Sequence, residues 1–285
     1  MNYIYVTVAV LLLALEFALS KKYQDLEGVR IAAAFRFNTL SGLLSAVVMT
    51  AVLGFRLEWS GFSAQMAFAM TICCMCYSIL SFQVLKAGSM ALYSTFLMSG
   101  GMLLPYIYGV IFLDEKLTTF RIIGVVLVLS AVILSNLTKQ AVNKKLVMMC
   151  CAVFFLNGFV SIISKCHQVN TACKAVNSSV FVVYSGVAKW LLSGVALLFC
   201  KKGEKTMSNR LSFGVVAGAA IIGSASYLLQ LIGAKALPAT VLYPMVTGGS
   251  IIFSALAGKV FFRETLTRRQ RFSIALCFIG TLMFL

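Results

Sequence analysis

The chain has 285 residues, 61 % of them hydrophobic and only 11 % charged. A water-soluble domain usually carries about 25 % charged residues, so this chain cannot cover its own surface in water. Its 24 basic against 8 acidic side chains give a net charge of +16, yet the cations are strung between apolar runs and form no basic face, which excludes nucleic acid and points to a lipid bilayer.

A helix needs about 20 predominantly apolar residues to cross the hydrocarbon. Charge and turn clusters cut the chain into ten such runs. The first, 3–20, is interrupted by Glu16, is preceded by no positive charge, and is followed by Lys21-Lys22 where a cleavage site would need small residues. It reads as a membrane span and not as a signal peptide. The second, 30–53, holds Arg36-Phe37 and Asn38. The third, 62–85, holds Cys73, Cys74, Cys76, Tyr77 and Gln83, and the fourth, 89–113, holds Tyr93, Thr95 and Gly100-Gly101. The fifth, 119–137, has little polar content beyond Ser130.

The polar stretch 138–145 divides the chain, with 1–138 as a first five-helix repeat, 139–145 as linker and 146–285 as a second repeat. Run six, 146–165, carries Asn157. The connection after it holds Cys166, His167 and Cys173, without the paired spacing of a metal site, so no metal is expected there. Run seven, 178–200, carries Tyr184 and Lys189-Trp190. Run eight, 211–234, carries Gly214-x-x-x-Gly218, Ser226, Tyr227 and Gln230. Run nine, 239–262, carries Tyr243, Thr247 and Gly248-Gly249, and run ten, 269–285, again has little polar content.

The second half restates the first. Residues 112–118 read Phe-Leu-Asp-Glu-Lys-Leu-Thr and residues 261–267 read Phe-Phe-Arg-Glu-Thr-Leu-Thr, so Glu115 and Glu264 stand 149 positions apart. Gln83 and Gln230, Gly100-Gly101 and Gly248-Gly249, and Arg36-Phe37 and Lys189-Trp190 recur in the same order along both halves. Five spans per half is an odd number, so the second half enters the membrane from the opposite side. The expected fold is an all-α integral membrane protein of ten transmembrane helices in two inverted five-helix repeats.

An ionisable group at the bilayer centre costs roughly 2.5–3.5 kcal/mol on insertion scales and needs a role or a partner. Glu16, Arg36 and Lys189 stand inside spans. Glu16 reads as a proton or cation site, with snorkelling beside Lys21 and Lys22 as the bland reading. Arg36 is either its ion-pair partner or a substrate anchor. Lys189 has no acid within runs six to nine and either snorkels or offers its charge to an anionic group. The neutral polar groups concentrate in runs one to four and six to nine, which are expected to line a path, with five and ten outside it. The candidate site residues are Glu16, Arg36, Tyr77, Gln83, Tyr93, Asn157, Lys189, Tyr227, Gln230 and Tyr243, with no catalytic or metal-ligating set. One His and scattered acids do not assemble the acid–base or nucleophilic constellation of a membrane enzyme.

The Glu-x-Leu-Thr element after the fourth run of each half, the Arg-Phe early in run two and Ala-Leu-Pro-Ala at 236–239 resemble the EamA-type signature of the drug/metabolite transporter superfamily. The resemblance covers nearly the whole chain. It implies two inverted fives and a secondary transporter, with no cofactor and with a proton or another ion as coupling partner; the single membrane acid and the mostly neutral polar or cationic candidates favour an exporter of amino acids or other small metabolites over a multidrug pump. Run one through Glu16 also resembles small multidrug-resistance proteins, in which a first-helix glutamate carries both proton and cationic drug, so a multidrug or cation exporter is the alternative. A non-transporting scaffold or a membrane enzyme is the alternative from another class. The Glu-Pro found mid-way along the fourth span in many such transporters is replaced here by Ser-Gly-Gly at 99–101 and Thr-Gly-Gly at 247–249. The expected location is a bacterial inner membrane. Most cations, among them Lys21, Lys22, Arg30, Lys144, Lys145, Lys201, Lys202, Arg268, Arg269 and Arg271, fall on one side, so the positive-inside rule places both termini outside the cytoplasm; the family resemblance implies termini inside.

Overall fold

In lipid the backbone has no water to bond, so each apolar run must satisfy its own N–H and C=O groups and becomes a helix. The computed structural model describes residues 2–28, 30–86, 90–135, 144–200, 210–263 and 267–284. Outside these lie residues 139–143 of the expected linker, Lys201, Lys202 and Lys205, and Glu264, Thr265 and Leu266 of the second repeated heptad. The described residues form ten helices joined by short connections and no strand. They are α1 Asn2–Glu27, α2 Ile31–Val52, α3 Gly61–Lys86, α4 Met90–Phe112 and α5 Thr119–Ser135, then α6 Lys144–Val169, α7 Ser178–Leu198, α8 Arg210–Ala236, α9 Ala239–Phe262 and α10 Arg268–Leu282.

Eight of these helices are long and apolar enough to cross a membrane. The exceptions are α5, with 17 residues, and α10, with 15. Over the described residues the ten expected spans are therefore ten helices of which the fifth of each half is short, and in α10 Arg268, Arg269 and Arg271 occupy the first turn. Large apolar side chains such as Ile4, Val47, Ile111, Val195 and Val260 point outward, as they do where lipid is the solvent. The chain is a polytopic helical membrane protein.

Two helix ends differ from the sequence reading. α1 runs through Lys21 and Lys22 to Glu27, because lysine is a good helix former and both side chains stay exposed. α6 runs to Val169, so Cys166 and His167 are helical and not in a loop.

Three helix pairs from the two halves cross antiparallel, whereas α4 and α6 run parallel, with Gly100 on Phe154 and Leu104 on Gly158. Along α2 and α7, Thr39 meets Gly194, Gly42 meets the Trp190 backbone, and Ala46 meets Gly186. A Cβ on Gly42 would come within 2.7 Å of the Trp190 nitrogen, so glycine is required at this crossing. Along α5 and α10, Gly124 meets Gly280, and Ser273 donates to the Ala131 carbonyl at 2.7 Å. Along α1 and α8, Val6 meets Gly233 and Leu19 meets Gly218, while Ser226 donates to the Ala9 carbonyl at 2.7 Å. The paired glycines of α4 and α9 also allow close approach: Gly100 lies on the Phe154 backbone of α6, and Gly249 on Val10 of α1. Gly214-x-x-x-Gly218 of α8 makes no such close crossing. Nothing lies within 4 Å of a Cβ built at Gly214, and at Gly218 a Cβ would make only an ordinary 3.4 Å contact with Leu19.

Candidate solute-binding site

Glu16 lies mid-way along α1, Lys189 mid-way along α7, Tyr77 on α3 and Tyr227 on α8. Cys74, Tyr77, Lys189, Tyr227 and Tyr243 are enclosed by protein, and so is Glu16, yet each keeps solvent-reachable surface. A side chain deep in a bundle that still presents such surface lines an internal space. These six come from α1, α3, α7, α8 and α9, hence from both halves of the chain.

The Glu16 carboxylate lies against the α-carbon of Gly223 on α8, where a Cβ would come within 2.6 Å of its Cδ. Among the described residues it accepts no hydrogen bond and forms no ion pair, and its electrostatic neighbours are Lys189 and Tyr77. The Lys189 ammonium stands 5.8 Å from the centroid of the Phe37 ring on α2. That is within the range of an attractive cation–π contact. Lys189 also feels the charge of Glu16 and of the Cys74 thiol, and Cys74 shares a side-chain hydrogen bond with Tyr77. Tyr93, near the start of α4, is an electrostatic neighbour of Tyr77.

Around these side chains the helices are tied together. The Tyr227 hydroxyl meets Ser164 Oγ at 3.2 Å and Met70 Sδ at 3.1 Å. Tyr243 donates to the Ser161 carbonyl at 2.6 Å, and Gln230 donates to Ser226 Oγ at 3.1 Å. Asn157 Nδ2 donates to the Leu97 carbonyl at 2.7 Å and sits on Gly101, so it locks the α4–α6 crossing. Gln83 is exposed in the last turn of α3.

Arg36 is not the partner of Glu16. It stands in the second turn of α2 and its Nη2 donates to Glu27 Oε2 at 3.1 Å, while Ser212 Oγ of α8 donates to Glu27 Oε1 at 2.6 Å. Glu27 is buried and ends α1, where the chain turns at Gly28 with φ +80°. The arginine therefore closes one end of the α1–α2–α8 contact, and the cation expected opposite Glu16, Arg36, is replaced there by one from the other half, Lys189.

At the opposite end, Glu115 caps α9. Its carboxylate accepts from Ala239 N at 2.6 Å, from Thr240 N at 2.8 Å and from Thr240 Oγ1 at 2.7 Å. Lys165 caps α8 by donating to the carbonyls of Ala234 at 2.7 Å and Leu237 at 2.6 Å. His167 is sandwiched between Phe181, at 3.7 Å between centroids, and Phe62, and its Nε2 meets Ser63 Oγ at 2.9 Å. Cys166 meets the Tyr108 hydroxyl at 3.1 Å and Cys173 is exposed. No group of three His, Cys, Asp or Glu is placed to hold a metal ion among the described residues.

Sequence reasoning did not single out Cys74, which lies within an apolar run, or Gly223, whose value lies in what it leaves room for. It also missed Glu27 and Lys165, whose partners come from the distant half of the chain.

The chain matches no protein-family model and no curated protein. Solved structures do match, 28 chains in all, which makes the fold a shared one. One crystal structure of a protein aligns with 98 % of this chain and 95 % of its own, with a TM-score of 0.76 and 15 % sequence identity. At that identity the likeness carries the fold alone.

Proposed function

We propose that this protein is a secondary active transporter of a small metabolite, an exporter of EamA-type architecture with two inverted five-helix repeats. The inversion is supported by the crossings of equivalent helices. α2 and α7, like α5 and α10, are equivalent under the repeat, and each pair packs antiparallel. At the α5–α10 crossing Gly124 faces Gly280 and Ala131 faces Ser273, positions that exchange under the same 149-residue shift that relates Glu115 to Glu264. A pseudo-two-fold axis through such contacts is the geometry in which two repeats exchange conformations and give alternating access.

The observation that carries the transport reading is the enclosed, solvent-reachable polar layer at mid-bundle, built by helices of both halves around Glu16 and Lys189. A membrane enzyme would need a nucleophile with its base, and a scaffold would need no polar layer at all. Purified protein in proteoliposomes loaded with a bacterial metabolite extract is expected to give protein-dependent efflux of particular solutes, read by mass spectrometry. Efflux no faster than from protein-free vesicles would rule the reading out.

A second reading, a cation exporter coupled to protons, is favoured by the Glu16 carboxylate lacking a hydrogen bond or ion pair among the described residues. Under it Glu16→Gln, which keeps shape and removes charge, abolishes proton-driven flux and leaves folding intact. Normal flux with an unchanged pH profile in Glu16→Gln would exclude a coupling role.

A further inference from the structure

We propose that Glu16 and Lys189 form a dipolar subsite that takes a zwitterionic solute, its ammonium against Glu16 and its carboxylate against Lys189; this rests on the transporter reading above. Both side chains stand mid-helix, where an ion without a partner is costly. Neither forms an ion pair or hydrogen bond among the described residues, yet each feels the other's charge. Glu16 lies on Gly223, whose neighbour Ser224 is hydrogen-bonded to Ser45 of α2, and the Lys189 stem packs on Gly42 of the same helix, which sets the two at neighbouring levels. Two opposite charges in each other's field without a salt bridge are matched by a molecule that carries both signs. A simple cation satisfies Glu16 and is repelled by Lys189, and a simple anion meets the converse. A dipolar solute satisfies both and leaves the layer electrically neutral.

The walls hold the two charges in place. Gly223 lets the carboxylate lie flat on α8, and the Phe37 ring holds the ammonium from the side of α2. Tyr77 and Cys74 of α3, hydrogen-bonded to each other, are electrostatic neighbours of Glu16 and Lys189 and add polar groups to the layer. Glu16 belongs to the first half and Lys189 to the second, so a rocking motion of the repeats changes their separation. A solute bridging them thereby favours one arrangement over the other, which is what ties binding to access.

The test uses three matched pools: the common neutral L-amino acids, the primary amines left by removing their carboxylates, and the carboxylic acids left by removing their amino groups. Thermal shifts of the purified full chain are expected from the amino-acid pool, with apparent affinity about ten-fold or more above either singly charged pool. Glu16→Gln and Lys189→Met each abolish that shift. The double variant Glu16→Gln/Lys189→Met, which removes both buried charges together, folds at least as stably as the wild type and shows no shift, so loss of binding is separable from loss of fold. Amines that bind as tightly as amino acids and are unaffected by Lys189→Met would overturn the dipolar subsite, as would no shift from any pool. Metabolite efflux that persists in the double variant would overturn the subsite and leave the transporter reading standing. Binding with no efflux of any solute would do the reverse.

Discussion

At the scale of single residues, glycine decides the geometry of the charged layer. A Cβ at Gly223 has to displace the Glu16 carboxylate, whereas at Gly214 it meets nothing within 4 Å. Gly223→Ala is therefore expected to cut efflux about ten-fold or more, the scale seen when a reacting or binding group is misplaced by an ångström. Gly214→Ala has the opposite outcome. It leaves efflux unchanged and raises stability by about 0.5–1 kcal/mol, because alanine loses less backbone entropy than glycine in a helix. Thermal melts of the two variants beside proteoliposome efflux check both; equal efflux in Gly223→Ala would mean that Glu16 does not need its place on α8.

At the scale of helices, the glutamate of the first Glu-x-Leu-Thr acquires a physical reason. Helix ends leave N–H and C=O groups without intrahelical partners, and these are costly where water is scarce. Glu115 satisfies the first N–H groups of α9 and adds a negative charge at the positive end of that helix. Lys165 satisfies the last carbonyls of α8 with the complementary charge. The α8–α9 turn is thus held at both ends by side chains from α6 and from the α4–α5 connection. Glu115→Ala is expected to destabilise the protein by about 2 kcal/mol, as the loss of a charge-assisted helix cap does. Glu115→Gln, which keeps an acceptor oxygen, recovers part of it. A melting temperature unchanged in Glu115→Ala would show that the cap contributes nothing.

At the scale of the whole molecule, the proposed ten-span arrangement puts the start of α1 and the end of α10 on the same side. Exposed Lys21, Lys22, Arg30, Lys144, Lys145, Arg268, Arg269 and Arg271 cluster at the other. The positive-inside rule then predicts both termini outside the cytoplasm. A C-terminal alkaline phosphatase fusion is expected to be active and a C-terminal green fluorescent protein fusion dark. A bright fluorescent fusion would mean that the orientation implied by the EamA resemblance holds instead.

Hydropathy is a local property, and for that reason the sequence by itself determined the class of the protein, the ten helical runs and the two ions at mid-span. Lipid leaves an apolar segment of about 20 residues little choice but a helix, whatever surrounds it. Helix ends were less legible: Lys21 and Lys22 looked like a stop but sit within α1, since a long basic side chain can stay in a helix and keep its charge in water. Partner choice was not legible at all. Only the tertiary structure gave Arg36 to Glu27, set Lys189 in the field of Glu16, turned Lys165 into a cap and sandwiched His167 between two aromatic rings. Each of these depends on which helix faces lie together, and the contacts join distant positions, 185 apart for Ser212 and Glu27. A pattern of apolar and polar residues specifies that a helix has a buried face. Which neighbour covers that face depends on glycine-sized gaps and crossing positions that appear only when all the helices are packed.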